Sequence, residues 1–314
     1  MLLSVIICTR NRPQSLEQTL QSIAESAREC DKNSFEVLVV NNGDSLETKD
    51  IENNFCSDLP LRFLNESRPG LSFARNSGLA IAKGEWILWT DDDVTVDKLW
   101  LKAYISAVTR FPDVSVMGGP ITPSFSQPPP RWLITGQPHI RIAFANRTAE
   151  DVSEVFQKEE PAPFGANFAI RRSVALKFPF DTKLGRHPKW PTRGGEESTV
   201  IQSILSAGGT GRWLRDAKVI HRIDEARQTK KYVRSFFFDV GFSDVMRNSQ
   251  KKSRGQKLGD LAIALYRAAG NEMRFVISTI NPAHPNLALH LREAATNWGA
   301  VKALFSLIVS NQQR

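Results

Sequence analysis

A short apolar run that passes directly into three carboxylates constrains the fold of this chain more than any other stretch. Trp86 to Trp89 is rich in β-forming residues, which predicts a buried strand. Asp91 to Asp93 follow at its end, where three adjacent like charges are costly unless a cation meets them. Because ligands of open α/β sheets lie outside the carboxyl ends of the strands, the pattern predicts a divalent cation and a phosphorylated ligand here. An acidic turn, or a helix N-cap at Asp93 or Thr95, is an equally open interpretation of these residues alone.

The elements around this strand are predicted to alternate between strand and helix. Buried strands are expected at Leu3 to Cys8 and Phe35 to Val40, and apolar residues at helical spacing over 16–28 predict an amphipathic helix between them. A third strand at Leu61 to Leu64 and a short helix at Leu71 to Ala82 precede the acidic strand. This order predicts an α/β protein with parallel βαβ units in a Rossmann-like sheet. From about residue 228 the patterns are helical, so we expect two domains, residues 1–225 and a basic, mainly helical region over 226–314.

The positive charge of the chain is concentrated in one stretch. The 314 residues carry a net charge of +8, and the segment 226–257 contributes nearly all of it, with nine Lys or Arg against Asp239 and Asp244. The nine are Arg227, Lys230, Lys231, Arg234, Arg247, Lys251, Lys252, Arg254 and Lys257. Such a cluster is typical of a surface that contacts an anionic membrane, and equally of a solvated helical face. We favour peripheral contact with an anionic membrane.

The sequence shows no signal for export or for membrane insertion. No apolar run approaches the ~20 residues that span a bilayer. The first residues lack a basic segment and a cleavage site, which favours a first strand over a signal peptide. Cys8, Cys30 and Cys56 are odd in number and lack the spacing of metal ligands, which favours a reducing compartment. We therefore expect a cytoplasmic protein.

Six motifs occur in a fixed order along the chain, in the stretches 4–12, 39–43, 70–93, 164–167, 194–197 and 217–221. The third, Gly-Leu-Ser-Phe-Ala-Arg-Asn-Ser-Gly-Leu-Ala-Ile-Ala-Lys-Gly-Glu-Trp-Ile-Leu-Trp-Thr-Asp-Asp-Asp, is the most specific. Together they resemble the motifs of family 2 glycosyltransferases. The resemblance covers residues 3–225 and implies the nucleotide-diphospho-sugar transferase (GT-A) fold. It also implies an inverting transfer of one sugar from a nucleotide-diphosphate sugar to an acceptor hydroxyl, in the synthesis of cell-surface polysaccharide or glycoconjugate.

The resemblance implies a metal ion at the acidic strand end. Asp91 and Asp93 match the Asp-x-Asp motif of the family, so Asp93 is expected to ligate Mn²⁺ or Mg²⁺, with Asp91 nearer the ribose or the metal-bound water. Carboxylate oxygens suit both ions. His221 stands where some relatives have a further metal ligand, although a structural histidine is equally open. An imidazole ligand would favour Mn²⁺.

The resemblance also implies the residues that hold the donor. In this sequence they are Thr9, Arg10, Arg12, Asn41, Asn42, Arg75, Asp91 and Asp92. Many relatives have Asp in the loop after the second strand, where its carboxylate accepts a hydrogen bond from the base, but this chain has two asparagines at 41–42. The carbonyl of an asparagine amide accepts the same hydrogen bond, so uridine is the preferred base. Because the amide also brings an N–H donor, the identity of the base stays open.

The catalytic base is expected in the motif at 194–197. Relatives usually have Glu-Asp there, with Asp as the base; this chain has Glu196 and Glu197, and the alignment puts Glu197 at the position of the base. A glutamate performs the same proton abstraction. Acidic side chains in the first turn of a helix also interact favourably with the helix dipole. The alternative is therefore that Glu196 and Glu197 only stabilise the helix.

Two other functional classes are open on the sequence. A nucleotidyltransferase or pyrophosphorylase of related fold would need a Gly-rich phosphate loop near the first strand, and this chain has none. A membrane or nucleic-acid binding module could use the basic stretch, where Tyr232 and Phe236 to Phe238 interleave with the cations. The Gln-x-x-Arg-Trp signature of processive synthases is absent from the sequence, which favours single addition. The expected partners are the nucleotide sugar, a saccharide or lipid-linked acceptor, and an anionic membrane, with no nucleic acid.

Overall fold

The computed structural model describes residues 1–44, 51, 53–148, 150–158, 160–190, 193–249, 252–281 and 284–310. The chain forms two compact units. The sheet unit comprises Met1–Ser124, Ala145–Lys189 and Gly195–Arg222, and the helical unit comprises Phe125–Phe144, Trp190–Gly194 and Ile223–Arg314. Two earlier segments of the chain therefore join the helical unit. The predicted domain or subdomain boundary near residue 225 stays a prediction.

The strands of the described residues belong to two sheets. In chain order they are β1 (Leu3–Thr9), β2 (Phe35–Asn41), β3 (Leu61–Asn65), β4 (Trp86–Asp91), β5 (Val94–Val96), β6 (Val116–Gly118), β7 (Ile121–Phe125), β8 (Val155–Phe156), β9 (Phe168–Arg171), β10 (Gly211–Trp213) and β11 (Val219–Ile223). Within the described residues, the main sheet has the order β3-β2-β1-β4-β9-β6-β10-β8, and the small sheet has the order β5-β11-β7.

Four parallel strands end at one edge of the main sheet. β1 pairs in parallel with β2 and β4, and β2 pairs in parallel with β3. The registers align Cys8 with Asp91, Thr9 with Asn41, and Asn41 with Asn65. β1 and β2 are buried along nearly their whole length, as expected for parallel strands that are covered on both faces. The four strands predicted around the acidic motif and their parallel order are confirmed.

Helices cover both faces of the main sheet. Among the described residues, the helices with defined bounds are α1 (Pro13–Ala27), α2 (Leu71–Ile81), α3 (Trp100–Arg110), α4 (Arg131–Ile140), α5 (Arg172–Ala175), α6 (Glu196–Ser206), α7 (Lys230–Asn248), α8 (Arg254–Thr279) and α9 (Leu287–Ser310). α1 buries Leu16, Leu20 and Ile23 in one core, and their spacing of three to four residues is the one that predicted this helix. α2 and α6 contribute Ala74 and Ile201 to a second core.

The helical unit has a core of its own, and α7 and α9 pack closely in it. Gly241 of α7 lies against the backbone of Thr296, and Gly299 of α9 lies against the backbone of Phe238, so a side chain at either glycine would push the two helices apart. Phe237 is buried in this core and its neighbours in sequence pack against it, which gives the aromatic residues of the basic stretch a structural role. Among the helices of the described residues, none combines the length and apolar character needed to cross a bilayer.

Candidate active site

The side chains at the carboxyl edge of the main sheet come from motifs that lie far apart in the sequence. β1 ends at Thr9, β2 at Asn41 and β4 at Asp91, and parallel pairing places these three ends side by side. After β4 the chain turns into β5, and β11 pairs with β5 so that His221 lies opposite Val94. All of these residues belong to the sheet unit.

Asp92 points into the protein and organises the turn after β4. Its carboxylate is fully buried and accepts hydrogen bonds from Thr9 Oγ1 at 2.7 Å and Arg12 Nε at 3.2 Å. Its backbone carbonyl accepts from the hydroxyls of Ser15 and Thr19 at 2.8 and 2.9 Å. Burial raises the pKa of Asp92 to about 7, while Arg12 and Thr9 oppose the rise. Asp92 thus connects α1 to the end of β4 through hydrogen bonds. The contact of Asp92 with the nucleotide-sugar donor stays a prediction.

Asp93 and His221 form a pair with the chemistry of metal ligands. His221 Nε2 lies 3.4 Å from Asp93 Oδ1, and Arg12 donates to the other Asp93 oxygen at 2.9 Å. The side chain of Asp91, at the end of β4, is 31% exposed and available to a ligand. Carboxylate oxygens with an imidazole nitrogen suit Mn²⁺, so these residues fit such a cation chemically. Within the described ranges, no three His, Cys, Asp or Glu side chains are grouped as a complete metal site.

Arg75 of α2 joins the two acidic motifs. Its guanidinium lies 3.7 Å from Asp91 Oδ1, 2.6 Å from Glu196 Oε1 and 3.7 Å from Glu197 Oε2, and the residue is only 2% exposed. Burial alone would lower the pKa of Arg75, but the carboxylate of Glu196 and its acidic neighbours outweigh burial and raise it. Arg75 therefore stays charged and brings together carboxylates that are more than a hundred residues apart in the sequence.

The two glutamates of the second acidic motif differ in their surroundings. They open α6 after Gly195, whose φ of 93° lies in the left-handed region that favours glycine. The side chain of Glu196 is 3% exposed and that of Glu197 is 12% exposed. Burial, followed by the charge of Glu197, raises the pKa of Glu196 to about 7, and Arg75 opposes this rise. Glu196 is thus the inner acid, held by Arg75, and Glu197 is the more accessible one.

The asparagines after β2 make hydrogen bonds within the protein. Asn42 donates to two backbone carbonyls in the segment 66–68, at 2.8 and 2.7 Å, and accepts from the amide of Gly70 at 2.8 Å. Asn41 accepts from the backbone amide two residues further on, at 3.1 Å. Arg10 donates to the carbonyl of Asn42 at 2.5 Å. These bonds shape the loop that would face the nucleoside, and recognition of a base by the two amides stays a prediction.

Arg222, which the sequence analysis does not single out, clamps the same turn. Its guanidinium donates to the Ser15 carbonyl at 2.8 Å and to the hydroxyls of Thr19 and Thr95 at 3.0 and 2.9 Å. Its backbone amide donates to the carbonyl of Asp93 at 2.8 Å. Burial lowers the pKa of Arg222, while the acidic turn opposes this. The one signal for this residue in the sequence is its place directly after His221.

The motif at 164–167 makes buried contacts that hold the residues of the site in position. Asn167 is fully buried, accepts from Trp100 Nε1 and the Tyr104 hydroxyl, both at 2.9 Å, and donates to the Ala217 carbonyl at 2.7 Å. Gly165 lies directly against the guanidinium of Arg75, so that any side chain at this position would displace it. The motif therefore positions the arginine and the neighbouring strands.

The chain matches the sequence model of a known family. The model described as glycosyl transferase family 2 matches residues 4–177, more than half of the chain. The chain is 24% identical over 232 residues to the glucosyl-dolichyl phosphate glucuronosyltransferase of Haloferax volcanii, which covers 72% of this chain and 71% of the relative. It is 25% identical over 240 residues to the succinoglycan biosynthesis protein ExoM of Rhizobium meliloti, which covers 75% of this chain and 71% of the relative.

Solved structures of glycosyltransferases share the fold. The mannosyltransferase PcManGT from Pyrobaculum calidifontis, in complex with GDP-Man and Mn²⁺, has a TM-score of 0.59 at 17% identity, over 94% of this chain and 86% of that one. Residues 1–349 of TarS from S. aureus, in complex with UDP, have a TM-score of 0.55 at 16% identity, over 100% of this chain and 92% of that one. At such identities the similarity establishes the fold, and the predicted GT-A fold is confirmed.

Proposed function

The chain belongs to glycosyl transferase family 2 and is a glycosyltransferase, and we propose that it moves one sugar from a nucleoside-diphosphate sugar to an acceptor hydroxyl, with inversion at the anomeric carbon. The convergence of Asp91, Glu196 and Glu197 on Arg75 supports this proposal. A single displacement needs the groups that face the leaving diphosphate and the base that faces the acceptor within one site. The structure brings the two acidic motifs that would supply them to one arginine.

Glu197 is the general base in this proposal. Its carboxylate is the more accessible of the two, at 12% exposed against 3% for Glu196, and it lies 3.7 Å from Arg75. Glu196 keeps the shorter ion pair with Arg75, at 2.6 Å, and positions the arginine. Glu197 then takes the proton of the acceptor hydroxyl as the new glycosidic bond forms, and the nucleoside diphosphate leaves from the opposite face of the sugar.

Asp93, Asp91 and His221 are the residues that would hold a divalent cation, Mn²⁺ or Mg²⁺. Such an ion would neutralise charge on the departing diphosphate. The nitrogen donor of His221 favours Mn²⁺ over Mg²⁺, because Mg²⁺ prefers oxygen ligands. Arg12, which binds both Asp92 and Asp93, fixes the carboxylates of this turn and is itself 42% exposed toward solvent.

The donor is held at the carboxyl edge of the main sheet. The proposed contacts are Thr9, Arg10, Arg12, Asn41, Asn42, Arg75, Asp91 and Asp92. A UDP-sugar is preferred, in line with the neighbour determined with UDP, although another neighbour was determined with GDP-Man.

The acceptor in this proposal is a saccharide or a lipid-linked saccharide at the cytoplasmic face of the membrane, in polysaccharide or glycoconjugate synthesis. One relative is named for a dolichyl phosphate substrate and another for succinoglycan, which supports this class of acceptor. The basic stretch 226–257 would contact the anionic leaflet. Of its nine cations, Arg227 and Lys257 are buried, so the other seven carry the proposed contact, among them Lys251, which lies outside the described residues.

A thermal-shift screen tests the proposed donor. UDP-, GDP- and dTDP-sugars are compared with and without Mn²⁺, because a ligand that binds only the folded state raises the melting temperature by mass action. We expect a UDP-sugar to raise it in the presence of Mn²⁺ and to raise it less after chelation. The proposal fails if no nucleotide sugar shifts the melting temperature under either condition, and release of a nucleoside diphosphate on addition of acceptor then confirms transfer.

A further inference from the structure

The longest helix of the helical unit leaves one face uncovered. α8 buries Lys257, Ala264, Ala268 and Ser278 on its inner side. Large apolar side chains stand exposed on the other side, with Tyr266 at 83% and Ile280, the residue that caps the helix, at 82%. We call nine of the exposed apolar residues the outer face of α8: Leu258, Ala262, Leu265, Tyr266, Ala269, Met273, Val276, Ile277 and Ile280. Ile263, also exposed, lies beside this face.

The spacing of these residues makes the outer face continuous. They recur at intervals of three, four and seven residues, so at 3.6 residues per turn they form one stripe along the helix. The 26 residues of α8 correspond to a length of about 39 Å at ~1.5 Å per residue. No charged residue falls within the stripe on this spacing, and the exposed Arg267 and Arg274, seven residues apart, lie on the face next to it.

We propose that the outer face of α8 lies in the interface of an anionic lipid bilayer, with the helix axis parallel to the membrane surface. The inference deepens the proposed function, on which it rests for the membrane-bound acceptor, by naming the element that enters the lipid. Apolar side chains on one side and arginines beside them are the pattern of helices that bind in the plane of the interface. Tyr266, the most exposed of the set, has the amphipathic ring that favours the depth of the headgroups.

The charge of the unit favours lipid over a second copy of the chain. The helical unit contains 17 Lys or Arg and 7 Asp or Glu, so two outer faces that packed together would bring two strongly positive surfaces against each other. An anionic leaflet complements both the cations and the apolar stripe. A membrane-spanning orientation is excluded for α8 by its own charges, since Lys257, Asp260, Arg267, Glu272 and Arg274 would enter the hydrocarbon.

Vesicle partitioning of matched variants tests the inference. The full chain with Met273→Gln and Ile277→Gln is compared with the full chain carrying Leu99→Gln and Leu176→Gln, which replaces two equally exposed apolar side chains of the sheet unit. The vesicles contain phosphatidylcholine with about one quarter phosphatidylglycerol, a typical anionic surface. We expect the partition constant of the α8 variant to fall about tenfold or more, because two apolar side chains leave the lipid, and that of the control to stay at the wild-type value.

Two results would overturn the inference. Equal partitioning of wild type and the α8 variant, or no binding of the wild type, would show that the outer face does not enter lipid. A wild-type dimer in vesicle-free solution that the α8 variant abolishes, measured by light scattering, would assign the face to a second copy. The thermal shift with nucleotide sugar is recorded on the same samples. Vesicle binding without donor binding would refute the proposed function alone, and donor binding without vesicle binding would refute this inference alone.

Discussion

The sheet unit and the helical unit use charged and apolar side chains in opposite ways. The sheet unit has 24 Lys or Arg and 26 Asp or Glu, whereas the helical unit has 17 and 7. In the sheet unit the decisive charges are inside, since Arg75, Asp92 and Glu196 are all buried and bound to partners. In the helical unit half of the described cations of the basic stretch are exposed to solvent, and so are the apolar residues on the outer face of α8.

The difference follows from what each unit is proposed to bind. A small phosphorylated ligand needs a few groups at fixed positions, and the sheet unit supplies them by aligning strand ends and fixing side chains with buried ion pairs. A membrane surface needs area, sign of charge and apolar exposure, and many arrangements of residues provide them. A single substitution in the site of the sheet unit should therefore lower sugar transfer strongly. In the helical unit, each substitution should lower membrane binding by a small amount.

The largest effect is expected at Asp93. Asp93→Ala removes the proposed metal carboxylate, so transfer should be abolished and donor binding in Mn²⁺ weakened. Asp113→Ala, which removes an exposed acid of the same unit, is the matched control and should transfer at the wild-type rate. Release of nucleoside diphosphate is measured for both variants, with and without chelator. An Asp93→Ala variant that works as well as wild type in the presence of EDTA would contradict the role of the metal.

Glu197→Gln should give the next largest effect. The amide keeps the size and the hydrogen bonding of the side chain but cannot accept the proton, so transfer should fall by about 10²–10⁴. Donor affinity, measured by calorimetry, should stay near the wild-type value because the donor is held by other residues. If Glu196→Gln loses transfer and Glu197→Gln does not, the base is the inner glutamate and its accessibility was the wrong criterion.

The stability of the sheet unit should respond to pH through Glu196. Its pKa rises from the ordinary value of 4.5 to about 7 on folding, so its contribution to stability is fully present below 4.5 and is lost as the pH rises through 7. Glu196→Gln removes this loss. Between pH 4 and pH 8, the free energy of unfolding of the variant should improve relative to wild type by up to about 3 kcal/mol, measured by urea denaturation. A difference that does not change with pH would show that Arg75 fully compensates the buried charge.

The smallest and most gradual effect is expected from the basic stretch. Reversal of Lys230, Lys231, Lys251 and Lys252 to Glu should lower binding to anionic vesicles by about tenfold or more at low salt, since each cation near the surface contributes about 1 kcal/mol. Reversal of four exposed lysines of the sheet unit, Lys98, Lys158, Lys177 and Lys183, makes the same change in net charge as a control. If both variants lose vesicle binding equally, the binding depends on the net charge of the protein and not on the basic stretch. Tight binding of the wild type to single-stranded DNA would support a nucleic-acid partner instead.

The sequence predicts the secondary structure of both units, the parallel strands of the sheet unit and the helices that follow residue 228. Residues 3–8, 35–40 and 86–89 form strands, as their short apolar runs predict. The order of the motifs predicts which strand ends lie side by side. The sequence could not tell which carboxylates turn inward. Asp92 and Asp93 are neighbours with the same side chain, and only the turn into β5 buries the first against Thr9 and Arg12 and turns the second toward His221.

The residues that the sequence analysis missed act through tertiary contacts. Arg222 has no motif of its own, and its role arises because β11 pairs with β5 and brings the guanidinium over the turn. The outer face of α8 was missed for a different reason. Periodicity predicts a helix and an apolar side, but it does not tell whether that side faces the core. Here Ala264 and Ala268 face inward, and most of the larger apolar side chains of the helix face outward.

The central claim is that the end of β4 holds the cation of a nucleotide-sugar site, and anomalous scattering tests it most directly. Crystals of the full chain are soaked with Mn²⁺ and UDP, and data are collected at the manganese edge. We predict one strong anomalous peak within coordination distance of the Asp93 carboxylate. A peak elsewhere, or bound UDP with no peak at Asp93, would contradict the account.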